Sequence, residues 1–143
     1  MSLQPTGLVV ASHDVALASR IAGLLGADSR VRVWVQRDVV GVEVGGALKN
    51  IYAIGAGIVE GSGMGYNPTA MVVTRGCHEI KLLACALGAR AETLAGLSGI
   101  GDLMLTCFGP ASRNRSVGVR VRPRSETMWC VHGLWNRSSS AHL

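Results

Sequence analysis

With 143 residues, 48% of them hydrophobic and 16% charged, and with 19 glycines, the sequence has the length and composition of one ordinary globular domain and not of a disordered chain. The formal charge of +5 is local: residues 1–112 set eight Lys/Arg against eight Asp/Glu, and residues 113–143 set six Arg against Glu126 alone. One Phe, two Tyr and three Trp leave few platforms for stacking bases, so this basicity does not argue for a nucleic-acid-binding module.

No apolar run reaches the roughly 20 residues of a spanning helix, and the start, MSLQPTG, lacks a basic region followed by an apolar one, so neither a membrane span nor a signal peptide is expected. Cys77, Cys85, Cys107 and Cys130 show no C-x-x-C pairing. Their spacing fits neither a zinc site nor a small disulfide framework, which predicts reduced thiols in an intracellular protein and no metal centre.

In chain order, Leu8–Ala11 is a short apolar run between Gly7 and Ser12, the pattern of a buried strand. Ser12 or Asp14 is placed to cap a helix through Leu25, ended by Gly26, with Leu17, Ile21, Leu24 and Leu25 on one face. Val31, Val33 and Val35 alternate with Arg32 and Trp34, as in a half-exposed strand. Strand, helix and strand in about 30 residues make a βαβ unit with parallel strands. A parallel pair alone buries little, so this unit is expected to belong to a larger sheet.

From Asp38 to Gly63 the sequence predicts one long helix, apolar nearly all round through Val42, Val44, Ala47, Leu48, Ile51, Ile54 and Ile58, the signature of a central buried helix. Lys49 is the only Lys or Arg between Arg37 and Arg75. A lysine so placed either packs its stem on the core and snorkels its ammonium to water, or finds a carboxylate, loses its proton more easily or reaches a polar cavity, and each of these last three suits an acid/base.

Asn67 and Pro68 then read as cap and first residue of a helix to Leu87, closed by Gly88, with Met71, Val72, Ile80, Leu83 and Leu87 as its core stripe. His78 falls on its polar or boundary side. A short helix is expected over Ala91–Leu97. Asp102, after Gly99 and Gly101 and before Leu103-Met104-Leu105, either caps a helix or points into a pocket. Ser112-Arg113-Asn114-Arg115 joins a hydroxyl, two guanidinium groups and an amide, enough to hold a phosphate or to make a solvated basic turn. From Pro123 the periodicity ends, and 123–143 reads as a disordered tail.

These pieces, in this order and spacing, resemble NAD-dependent glycerol-3-phosphate dehydrogenases. Gly41-Val42-Glu43-Val44-Gly45-Gly46-Ala47-Leu48-Lys49-Asn50, followed by Ile51-Tyr52-Ala53-Ile54-Gly55-Ala56-Gly57, is similar to the family's central helix. Gly99 to Cys107 is similar to its G-x-G-D-L-x-L-T-C element, and Ser112 to Arg115 to its S-R-N-R phosphate element. The resemblance covers about residues 5 to 119.

It implies a mixed fold: the C-terminal βαβ piece of a Rossmann-type NAD-binding domain over residues 1–37, then an incomplete, mainly α-helical substrate domain over 38–122, like the C-terminal domain of 6-phosphogluconate dehydrogenases, then the unmatched tail. By the same resemblance Lys49 is the proton acceptor and a substrate contact, with Asn50, Asp102, Thr106, Ser112, Arg113 and Asn114 as further substrate contacts. Arg113 and Asn114 meet the phosphate, and Arg113 also meets NAD. The substrates implied are sn-glycerol 3-phosphate and dihydroxyacetone phosphate, in a homodimeric cytoplasmic enzyme, or an organellar one if an upstream targeting signal exists. No G-x-G-x-x-G turn stands in the sequence. The chain is therefore expected to be an incomplete, inactive form of such an enzyme; the alternative is a non-catalytic chain that associates with full-length subunits.

Overall fold

A computed structural model describes residues 4–121. Two strands, β1 (Thr6–Ala11) and β2 (Val31–Gln36), pair in parallel with Thr6 opposite Val31 and Ala11 opposite Gln36, and α1 (Val15–Leu25) makes the crossover. The strand begins at Thr6, two residues before the apolar run, because Thr6 N donates to Arg30 O at 2.9 Å. Asp14 is the cap of α1, and its carboxylate accepts from Leu17 N at 3.0 Å.

Then comes α2 (Val39–Gly61), the hub of the molecule. Around it lie α3 (Tyr66–Ala86), α4 (Ala91–Leu94), a π-helical turn (Leu97–Gly101), α5 (Asp102–Phe108) and α6 (Arg113–Arg120). The mixed fold expected from the sequence is thus the one the chain adopts. The core joins Ala53 and Ala56 of α2 to Val73, Ile80 and Ala84 of α3 and to Leu94, Leu103 and Cys107.

The helices meet closely because their contact faces are small. On α2 the buried residues are Gly41, Gly45, Ala53, Ala56, Gly57 and Val59, while Ile51 is 63% exposed. The large aliphatic residues that made α2 look apolar all round are therefore not its buried set. On α3 the buried face is Thr69, Val73, Gly76, Ile80 and Ala84, and Leu83 and Leu87 are exposed. The expected stripe counted bulk, whereas the ring of Tyr52 lies against Gly76, where a side chain would displace it.

Two helix ends also differ from expectation. Gly65, at φ 84°, is the cap of α3, so Asn67 and Pro68 lie inside its first turn. Proline is tolerated there because the first-turn N–H groups have no intrahelical partner. The helix expected over Ala91–Leu97 stops at Leu94, and the chain widens into the π-helical turn. His78 is exposed, as its polar side predicted. The tail 123–143 and Cys130 lie outside the described residues. Among the described residues no single helix is long and apolar enough to cross a membrane.

Candidate functional site

Two clusters of polar side chains meet along one turn of α2. In the first, the Lys49 ammonium is ion-paired with Asp102 Oδ2. The lysine side chain is 23% exposed and the aspartate side chain 31% exposed. Of the outcomes open to Lys49, the chain realises the carboxylate partner. Asp102 does not act as a side-chain cap: it is the first residue of α5, and Gly101 stands in the cap position. Thr106, one turn on, donates from Oγ1 to the Asp102 carbonyl at 2.6 Å and lies 3.5 Å from Asp102 Oδ1. A side chain that is held on both sides keeps its orientation, as an acid/base partner must.

The π-helical turn leads directly into Asp102. Such wider turns cluster at functional sites, where they re-aim a side chain. Beside the ion pair a cleft of about 280 Å³ opens between β1 and α5, lined by Gly7, Leu8, Val9, Val42, Leu97, Ser98, Gly101, Asp102 and Leu105. Among the described residues that line it, Asp102 alone is ionisable.

In the second cluster, Asn114 Nδ2 donates to Asn50 Oδ1 at 2.7 Å, joining α6 to the α2 residue next to Lys49. Ser112 caps α6 and accepts from Arg115 N at 3.3 Å, which leaves its own hydroxyl proton free to donate. Arg113, the first residue of α6, is exposed. A helix N-terminus with a hydroxyl, a guanidinium and an amide around it presents converging donors to an anion. Arg115 is the exception among the S-R-N-R donors: its guanidinium turns away and pairs with Glu60 at the far end of α2. The tetrapeptide therefore offers one free guanidinium, not two.

What lets α6 sit so near Asn50 is a contact of backbone on backbone. A Cβ on Gly57 would collide with Arg115 O, one on Gly118 with Ile54 O, and one on Gly61 with Val119 O. These glycines carry no chemistry of their own, and nothing in their spacing says which helix they serve. Asp38 was likewise legible only as the start of α2, yet its carboxylate also accepts from Arg90 N at 2.7 Å across the fold.

The described residues do not provide a seat for a dinucleotide pyrophosphate. Both turns that join strand to helix among the described residues close the helix N-terminus with an aspartate carboxylate, Asp14 on α1 and Asp38 on α2. An anion there would meet like charge in place of free N–H groups.

Residues 38–129 match the family model described as the NAD-dependent glycerol-3-phosphate dehydrogenase C-terminus. A glycerol-3-phosphate dehydrogenase [NAD(+)] of Arabidopsis thaliana, described as chloroplastic, is 53% identical over 121 residues, 85% of this chain and 29% of that protein. A glycerol-3-phosphate dehydrogenase [NAD(P)+] of Acidobacterium capsulatum is 52% identical over 117 residues, 82% of this chain and 34% of that protein. Among solved structures, glycerol-3-phosphate dehydrogenase from Coxiella burnetii superposes with a TM-score of 0.79 at 36% identity, covering 93% of this chain and 43% of that one. The chain thus spans about a third of the length of these two curated relatives.

Proposed function

The chain belongs to the NAD-dependent glycerol-3-phosphate dehydrogenase family, and on that premise we propose that it carries the substrate-binding and proton-transfer half of such an enzyme. The observation that supports this best is the Lys49–Asp102 ion pair, one residue along α2 from the amide bridge to the N-terminus of α6.

In this reading the phosphate of sn-glycerol 3-phosphate lies at the α6 N-terminus, met by Arg113, Asn114 and the Ser112 hydroxyl. Charge-assisted bonds to a doubly charged group explain a guanidinium there, where a neutral alcohol would need none. Asn50 and Thr106 fix the glycerol hydroxyls, and Asp102 aims Lys49. The Lys49 ammonium gives a proton to the ketone oxygen of dihydroxyacetone phosphate during reduction, and in its neutral amine form takes the proton of the secondary hydroxyl during oxidation, while NAD, when bound, would supply or accept the hydride. Arg113, exposed beside the phosphate, is also the side chain proposed to reach toward NAD. The seat for the dinucleotide must come from residues other than the described ones, so the chain by itself is proposed to be inactive.

A test joins the chain behind the dinucleotide-binding domain of a relative and measures NADH oxidation with dihydroxyacetone phosphate. Turnover is expected in the fusion and not in the chain alone. Lys49→Met is expected to lower it by about 10²–10⁴-fold. Retention of most activity in Lys49→Met would remove Lys49 from the chemistry, and saturable NADH consumption by the unfused chain would overturn the division of labour.

One observation favours a second reading, in which the chain associates with a longer subunit. Parallel sheets are normally covered on both faces, whereas here Leu8, Trp34 and Val35 of a two-stranded parallel sheet are exposed. Co-expression with a full-length relative would then yield a mixed complex on size exclusion, and separate elution would exclude it.

A further inference from the structure

We propose that Asp38 is a positioning residue, which sets the register in which α2 presents Lys49 to Asp102. The inference rests on the reading of Lys49 as the acid/base, but its geometry is independent of turnover.

Asp38 is buried and stands where β2 hands over to α2. Its Oδ1 accepts from Gly41 N at 2.9 Å, the usual bond of an N-cap. Its Oδ2 accepts from Arg90 N at 2.7 Å, and Arg90 is the cap residue of α4, 52 positions away in sequence. One carboxylate thus anchors the starts of two arms. One arm is α2, which reaches Lys49 about 15 Å further on at 1.5 Å per residue. The other is α4, the π-helical turn and the start of α5, which delivers Asp102.

Between the anchor and the ion pair the arms touch once more. A Cβ on Gly45 would stand 2.9 Å from Ser98 O and 3.3 Å from Leu94 Cδ1, so helix and turn lie in direct backbone contact there. At the anchor, a Cβ on Gly41 would collide with Asp38 Oδ2 and stand 2.9 Å from Thr93 Cγ2. The anchor, the Gly45 contact and the Lys49–Asp102 pair form three rungs between the same two arms. Removing the first rung frees one arm to slide on the other. A slide of a single turn of side chains would carry the ammonium off the carboxylate.

A plain capping role and a positioning role predict different things for Asp38→Asn. Asparagine caps as well as aspartate, so capping alone predicts little change. Positioning predicts failure, because Gly41 N and Arg90 N donate to different oxygens of the carboxylate, and an amide in its place sets an NH2 group against one of these two N–H donors. Arg90→Pro deletes the same bond from the other side and leaves the α2 cap intact.

The chain has two lysines, Lys49 and exposed Lys81, so competitive reductive methylation of the full chain carries its own internal control. In the parent chain Lys49 is expected to label several-fold more slowly than Lys81. Asp102→Asn sets the fully released limit. Asp38→Asn and Arg90→Pro are each expected to raise the Lys49-to-Lys81 ratio by about threefold or more, as the ion pair opens, with helical circular dichroism retained. An unchanged ratio in either folded variant overturns the proposal, as does equal labelling of the two lysines in the parent chain. If both variants lose their helical signal, the bond governs folding and not register, and the proposal falls. A failure of Lys49 as acid/base would appear in turnover and leave these ratios untouched.

Discussion

Asn114 of α6 and Asn50 of α2 share a 2.7 Å hydrogen bond although 64 residues separate them, and nothing but glycine stands between the two backbones just beyond it. A Cβ on Gly118 would collide with Ile54 O and stand 2.9 Å from Gly57 Cα and Ile58 N, all backbone atoms that cannot rotate away. Gly118→Ala is therefore expected to lower stability by about 1–3 kcal/mol, the range for overpacking. It should also break the amide bridge. Gly46→Ala is the contrast: nothing lies within 4 Å of its Cβ, and alanine in a helix interior gains about 0.5–1 kcal/mol over glycine. Urea midpoints of the two variants should move in opposite directions; a shared direction would mean that α6 does not rest on that contact.

Acid stability is expected to report the Asp38 anchor. Burial pushes the Asp38 carboxyl up, but the Arg90 and Gly41 N–H groups, the nearby Thr93 hydroxyl and the Arg90 charge outweigh it and hold it below the usual carboxylate range. A carboxyl with a depressed folded-state pKa stabilises the fold above its unfolded pKa, near 3.9, and loses that contribution as pH falls through the folded value. Glu79 is held down in the same way by Tyr52 and Arg75, and exposed Asp28 by Arg30. The Asp38 share is thus obtained by difference: urea midpoints of the parent and Asp38→Asn should differ most near neutral pH and converge below about pH 4. A constant difference across that range would show that Asp38 does not titrate differently in the folded state.

At the alkaline end the raised groups include the Cys107 thiol, which burial pushes up to about 11, and Tyr52. Burial, the hydrogen bond to Glu79 and the Glu79 charge push its phenol up to about 12. Its hydroxyl donates to Glu79 Oε2 at 2.7 Å, and Arg75 Nε donates to Glu79 Oε1 at 2.7 Å, a chain that ties α2 to α3. A raised folded-state pKa contributes stability that is complete below the unfolded value, near 10, and is lost as pH rises through the folded one. Spectrophotometric titration should show a tyrosine step near 12, which Tyr52→Phe removes. The same variant should flatten the loss of stability between about pH 10 and 12.

The strands and the first two helices were legible in the sequence because each carries a local signal, and so was Lys49 as a cation in need of a partner. Asp14 and Asp38 cap their helices, valines alternate with Arg32, Trp34 and Gln36 in β2, and Lys49 stands alone in an apolar stretch. What was not legible depends on approach between elements. The buried face of α3 is built from Thr69, Gly76 and Ala84 because α2 comes close, and a search for bulky residues selects Leu83 and Leu87, which face outward. The π-helical turn has no period to find in five residues, yet it is what aims Asp102. Arg115 looks like its neighbour Arg113 in sequence; only the placement of Glu60, 55 residues earlier, separates their roles.

Arg113 carries the most direct test of substrate class. It is exposed at the first position of α6, beside the Ser112 cap and next to Asn114. A hydrogen bond with a charged partner contributes about 1.5–3 kcal/mol, so in the fused enzyme Arg113→Ala is expected to raise KM for dihydroxyacetone phosphate by roughly 10–150-fold at that conversion. The unphosphorylated analogue dihydroxyacetone, which has nothing for the guanidinium to hold, should lose little. Arg115→Ala serves as the control, since its guanidinium pairs with Glu60 and not with the α6 N-terminus: it should lower stability and affect both substrates alike. Raised ionic strength should weaken phosphate binding in the parent and leave Arg113→Ala nearly insensitive. Equal losses on the two substrates in Arg113→Ala would make Arg113 a structural residue and move the phosphate elsewhere.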